Sequence, residues 1–459
     1  MNSGYSELIS KQRRFFFTKQ TKDIDFRIEK LKILKKTIMK RSEEISEALK
    51  KDLRKCEFES FSGEIMGTLD EINLALKKLR SWAKPKKVKT PMTFFKSSSY
   101  VYNEPYGIVL VITAWNYPFQ LAINPLIGAI AAGNCCVIKP SELAPNTLKV
   151  IFDIINECFE EDYCAVVEGG VKETTSLLRE KFDFILYTGG TRVGKIIAVC
   201  AAEKLTPVIL EMGGKSPCIV DETADIELSA KRIMWGKLMN AGQICVAPDY
   251  ILVNKKVKDS FIKAAVKQIR GFYGDDPQKS IDYCRIINEK HFDRLSNYLK
   301  DGDIVFGGKT DRDDLYIEPT IIDDVKWDDT IMQEEIFGPI LPIIEYEDLN
   351  KVIEKINSLE KPLALYIFSR NKKTQEKILK ETSSGGGCIN ATIQHVGTPY
   401  LPVGGVGNSG MGKYHGETGF YTFSNQRGIM KKSLMFDFKL PYAPYGNKVQ
   451  TLKKMYKYN

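Results

Sequence analysis

A chain of 459 residues is too long for one ordinary hydrophobic core, so two or three domains are expected. Its composition, 43% apolar and 27% charged, excludes a disordered or fibrous chain. It also lacks any uncharged apolar run of the roughly 18 residues that a membrane span needs. The net charge is +9, of which Lys431 to Asn459 carry +6 through seven lysines and one aspartate. That tail reads as solvated or dimer-docked, or as a weak contact for an anionic membrane. Nucleic-acid binding is not expected, because no recognition motif accompanies the charge.

The ten cysteines show no regular spacing and no CxxC, and the N-terminus MNSGYSELISKQRR lacks the apolar stretch of a secretory signal. Reduced thiols and a cytoplasmic location are expected. No cluster of His, Cys and Asp has ligand spacing, so no metal is expected.

In chain order, Phe26, Leu31, Leu34, Ile38, Ile45, Leu49 and Leu53 recur at helical spacing between charged residues. This predicts one or two amphipathic helices over 24–55, and a further helix follows near 64–83. Pro85, Pro91 and Pro105 then break the pattern, and weak alternation around 94–102 predicts an extended hairpin arm. From Gly107 the reading changes. Gly107-Ile-Val-Leu-Val-Ile112 is a continuous apolar run, as in a parallel strand buried on both faces. Strands at 135–138, 164–167, 184–187 and 207–210 alternate with helices up to Gly133 and at 145–159, 171–180 and 192–203. That alternation predicts a Rossmann-like, doubly wound parallel sheet. Beyond 213, PCIVDE and DYILV read as strands and 225–240 and 257–271 as helices, giving a second α/β domain.

Several short segments carry chemistry-bearing residues. In NAGQICVAPD, Cys245 sits among small and polar residues with no acid or base beside it, and only His291, His395 and His415 exist to activate it. It is either a packed thiol or a nucleophile. TAWNYPF puts Asn116 just past the first buried strand, where an amide is either a turn residue or a donor to a developing oxyanion. LEMGGKSP ends an apolar strand on Glu211. If that carboxylate is buried, its pKa rises and suits general-base work; if it faces water, it has no such role.

VIKPSELAPN places Lys139 and Glu142 beyond a strand's carboxyl end, at a helix start or at a ribose. A carboxylate there repels a 2′-phosphate. YTGGTRVGK, with Gly189, Gly190, Thr191 and Gly194, is a tight strand–helix turn or a cradle for a pyrophosphate. QEEIFGPILP offers Glu335 and Phe337 as ribose and ring contacts, or as surface and core. Gly405-Val-Gly-Asn-Ser-Gly410 matches GxGxxG but follows no βαβ strand, so a loop at an active-site rim is expected there.

Together and in this order, these segments resemble the aldehyde dehydrogenase superfamily, across Thr113 to Gly412. The short N-terminus and GQICVAPD resemble its class 3 and fatty-aldehyde branch. The tail departs from the apolar anchor of some members. The resemblance implies an NAD(P)-binding domain from 1–88 and 105–211 and a catalytic domain at 212–407. It also implies a β oligomerisation arm from 89–104 with 420–435, a basic tail at 436–459 and a homodimer. The activity implied is oxidation of an aldehyde, medium- or long-chain aliphatic or aromatic, to the acid, with NAD as cofactor and NADP as the alternative. Cys245 would form a thiohemiacetal and then a thioester. Asn116 would hold the oxyanion, and Glu211 would activate the hydrolytic water. Lys139 and Glu142 would meet the adenosine ribose, the Gly189–Gly194 turn the pyrophosphate, Glu335 the nicotinamide ribose and Phe337 the nicotinamide. A coenzyme A-acylating enzyme, a cysteine esterase or thioesterase, and a non-catalytic binding protein are the alternatives.

Overall fold

The computed structural model describes residues 4–437 and 439–457, so residues 1–3 of the expected first domain and 438, 458 and 459 of the expected tail lie outside it. A six-stranded sheet is built from the apolar runs. Its order is Gly410–Met411, Val208–Met212, Phe184–Gly189, Ile108–Ile112, Cys135–Lys139 and Cys164–Val166. Five strands are parallel, and only Gly410–Met411 runs antiparallel. Ile108–Ile112 is buried along its whole length, because helices cover both faces. Chain order reverses between Ile108–Ile112 and Phe184–Gly189, so the crevice at their carboxyl ends is a topological switch point. Asn116 follows the first of these strands, and Gly189 ends the second.

The amphipathic stretch near the N-terminus forms two helices, Ile24–Lys40 and Ser42–Leu53. Both pack Leu31, Leu34, Ile38, Ile45 and Leu49 into the core of the first sheet. Burial of each such side chain contributes about 1.5–3 kcal/mol. The second sheet has seven strands, ordered Asp303–Phe306, Thr320–Asp323, Ile340–Tyr346, Tyr250–Asn254, Pro217–Val220, Ala364–Phe368 and Gly386–Ile389. It is parallel apart from Asp303–Phe306. The arm differs from a local hairpin. Ser97–Pro105 pairs with Lys86–Val88 on one side and along its whole length with Ser424–Lys432 on the other. Among the described residues, no helix is long and apolar enough to cross a membrane.

Candidate active site

Helix Ile226–Leu238 leads into the cysteine loop, and the chain then turns through Asn240 and Ala241, both at a φ of 51°. Left-handed backbone at two adjacent non-glycine residues is strained and needs outside support. Here the support is dense. Asn240 N donates to Glu59 Oε2 at 2.9 Å, and its Nδ2 donates to the Asn116 and Gln243 carbonyls at 2.9 and 3.1 Å. Gln243 Nε2 donates to the Asn240 and Arg285 carbonyls, and its Oε1 accepts from Ile287 N. Cys245 follows this fixed turn, half-buried. Burial pushes its thiol up to about 12, and the charges of Glu335 and Glu211 add to that. Among the described residues the one cysteine–histidine contact is elsewhere, at Cys388 and His395.

Asn116 is buried beyond strand Ile108–Ile112, and its Nδ2 donates to Gln243 O at 3.0 Å. A primary amide has two hydrogens, so one is fixed on the cysteine loop and one is left for a ligand. Glu211 lies within strand Val208–Met212 and is only 5% exposed. Its Oε1 has no hydrogen-bond partner among the described residues. Burial holds its pKa well above the usual carboxylate range, and Lys413 opposes this. An unpartnered buried carboxylate is costly and is what a general base requires. Gly405–Gly410 closes over this residue: Gly410 pairs with Glu211, and Met212 N donates to Ser409 O. The loop is thus the wall of the site.

Glu335 lies against the bare face of Gly213, where a Cβ would stand 2.0 Å from its Oε2. Burial, then Asp249, pushes its carboxyl up to about 8, while the Gly214 N–H and Lys215 oppose. Asp249 ties this segment down, accepting from Ile336 N at 2.9 Å and from Lys215 Nζ at 2.5 Å. Phe337, at a φ of 53°, meets Trp115 edge-on at 5.3 Å, which joins the EEIFGP and TAWNYPF segments.

Lys139 is buried at the carboxyl end of its strand, with Nζ donating to Pro140 O and lying 3.6 Å from the more exposed Glu142. Thr191 opens helix Thr191–Glu203, and its Oγ1 donates to Asn408 O at 3.4 Å, linking the turn to the glycine-rich wall. A Cβ on Gly190 would meet nothing within 4 Å, so the backbone there is open to a close ligand. Gly194 must lack one, since it would stand 2.3 Å from Met212 Sδ. An open helix N-terminus two strands away from a buried amine and a carboxylate, at the same edge of the sheet, suits a dinucleotide.

Sequence reasoning missed the supports beneath these residues: Glu59, Asn240, Gln243 and Asp249, and the buried pair Lys55 and Glu64. It also missed Lys237, fully buried with no partner for Nζ among the described residues and depressed to about 8 by burial. Asn240, Gln243 and Asp249 lie in the quoted NAGQICVAPD segment, where only the cysteine drew attention; for the others a polar residue in or beside a helical window was the only signal.

The aldehyde dehydrogenase family model matches residues 7–429. The 4,4'-diaponeurosporen-aldehyde dehydrogenase of Staphylococcus aureus is 50% identical over 97% of both chains. The dimeric NADP-preferring aldehyde dehydrogenase of Mus musculus is 46% identical over 94% of this chain and 95% of its own. A solved structure of the substrate-bound state of Staphylococcus aureus AldH superposes with a TM-score of 0.96. It is 49% identical and covers 98% of this chain and 99% of that one. The chain belongs to the aldehyde dehydrogenase family and is an NAD(P)-dependent aldehyde oxidoreductase.

Proposed function

We propose that Cys245 is the nucleophile, Glu211 the general base and Asn116 the oxyanion donor of this oxidation. The geometry that supports the assignment is the Asn116 amide bonded to the carbonyl of Gln243, two residues before Cys245, together with Glu211, a buried carboxylate with a free oxygen. Cys245 Sγ adds to the aldehyde carbon as its proton passes to Glu211, and the carbonyl oxygen becomes an alkoxide. The free Asn116 N–H and the Cys245 N–H hold that oxygen. A bound nicotinamide would supply the acceptor for the hydride that this adduct loses in becoming a thioester. Glu211 passes the thiol proton to solvent and, ionised again, takes a proton from water as it adds to the thioester carbon. The C–S bond breaks, the Cys245 sulfur takes back a proton from Glu211, and the acid leaves. Lys139 and Glu142 bind the adenosine ribose, the Gly189–Gly194 turn the pyrophosphate, Glu335 the second ribose, and Phe337 the nicotinamide face. The Glu142 carboxylate favours NAD over NADP.

The substrate class is a large apolar aldehyde, aliphatic or aromatic; the Staphylococcus relative's name supports a large one. The chain divides into a cofactor domain (1–88 with 105–211), an arm (89–104 with 420–435) and a catalytic domain (212–407). Two open strand edges, Gly386–Ile389 and the arm, together with the mouse relative's dimeric name, support a homodimer. Ten unpaired cysteines support a cytoplasmic location. The test is to quench Glu211→Gln after mixing with NAD and an aldehyde and to weigh the Cys245 peptide. An added acyl mass is expected, and an unmodified peptide contradicts the assignment.

A further inference from the structure

Residues 55–66 belong to neither sheet and match no motif, yet they grip both loops of the site. Lys55 and Glu64 are completely buried and paired, Nζ to Oε1, at 2.5 Å. Lys55 Nζ also donates to Asn116 O at 3.3 Å and lies 4.1 Å from the centre of the Tyr117 ring. Glu64 Oε2 accepts from Phe119 N and Gln120 N at 2.9 and 3.2 Å, in the first turn of helix Pro118–Ala132. Glu64 rides on a π-helical turn, Phe61–Met66, a distortion that recurs at functional sites. From the same segment, Glu59 accepts from Asn240 N, and Asn240 in turn donates to Asn116 O.

A buried ion pair gives little net stability, because desolvation offsets the attraction. Its retention here calls for another reason, and its contacts supply one: the pair fixes Asn116 from its own carbonyl and from the residues that follow. We infer that Lys55 and Glu64 are positioning residues for the Asn116 amide, setting where its free N–H meets the substrate oxygen. This rests on the proposed role of Asn116. Neither residue touches the substrate.

The test uses the full-length protein carrying Lys55→Met with Glu64→Gln, which removes both charges of the pair together. Single-turnover formation of reduced nicotinamide is compared with alkylation of Cys245 by iodoacetamide, a reaction that forms no oxyanion. Hydride transfer is expected to slow by about tenfold or more, with alkylation and NAD affinity within about twofold of wild type. In an Asn116→Ala background the same pair of changes is expected to add no further loss. If the double variant folds poorly by circular dichroism, Glu64→Gln alone repeats the test with a smaller loss in the same step. Oxidation within about twofold of wild type, parallel loss of oxidation and alkylation, or losses that multiply with Asn116→Ala would overturn the inference. Asn116→Ala turning over at the wild-type rate would instead remove the reading beneath it.

Discussion

Gly410 and Glu211 face each other across an antiparallel bridge, so the glycine-rich loop lies directly over the proposed base. A Cβ on the neighbouring Gly404 would stand 2.7 Å from Glu211 Oε1. The loop shields the carboxylate from water, and that burial raises its pKa.

Replacing Glu211 with Gln is expected to slow steady turnover by about 10²–10⁴-fold, the usual worth of a positioned base, and the first hydride transfer less. Stopped-flow absorbance separates the two phases. A burst slowed as much as the steady state would remove Glu211 from deacylation alone.

Activity is expected to rise with pH. Burial holds Glu211 well above the usual carboxylate range, so more of it is ionised as pH climbs, and only the ionised form takes a proton. The thiol, pushed up to about 12, changes in the same direction. A kcat profile from about pH 6 to 9 should therefore climb, and more steeply in wild type than in Glu211→Gln. A flat or falling wild-type profile would contradict this.

Glu71 gives a stability prediction. It is 4% exposed and accepts from Gly416 N, and burial lifts it from 4.5 to about 7. A folded-state pKa above the unfolded one stabilises fully below pH 4.5 and loses that contribution as pH passes about 7. The loss amounts to at most roughly 3 kcal/mol. Glu71→Gln should flatten the fall of Tm between those pH values in a thermal melt. An unchanged slope would place the pH dependence elsewhere.

The parallel strands were legible because burial on both faces leaves an unbroken apolar run, as in Ile108–Ile112. The arm was half legible. Ser424–Lys432 is exposed along nearly its whole length and pairs with a strand more than three hundred residues away, so no local pattern marks it. Lys55 and Glu64 were illegible for a related reason: charged residues ordinarily face water. Lys55 lies in the short link between helices Ser42–Leu53 and Glu57–Ser60, and the π-turn that carries Glu64 breaks the 3.6-residue period that would place it inside. The Gly405–Gly410 motif showed the opposite hazard. Its glycines allow close backbone approach, with a Cβ on Gly405 only 2.0 Å from Ser409 O, and that need has nothing to do with phosphate.

The most direct measurement is absorbance of reduced nicotinamide with wild type and Cys245→Ala, across aldehydes from acetaldehyde to long aliphatic and aromatic ones, each with NAD and with NADP. Wild type is expected to turn over, with a preference for the larger apolar aldehydes. In the variant no turnover is expected, with NAD binding retained by fluorescence titration. Wild-type-like turnover in Cys245→Ala would contradict the nucleophile and the mechanism built on it.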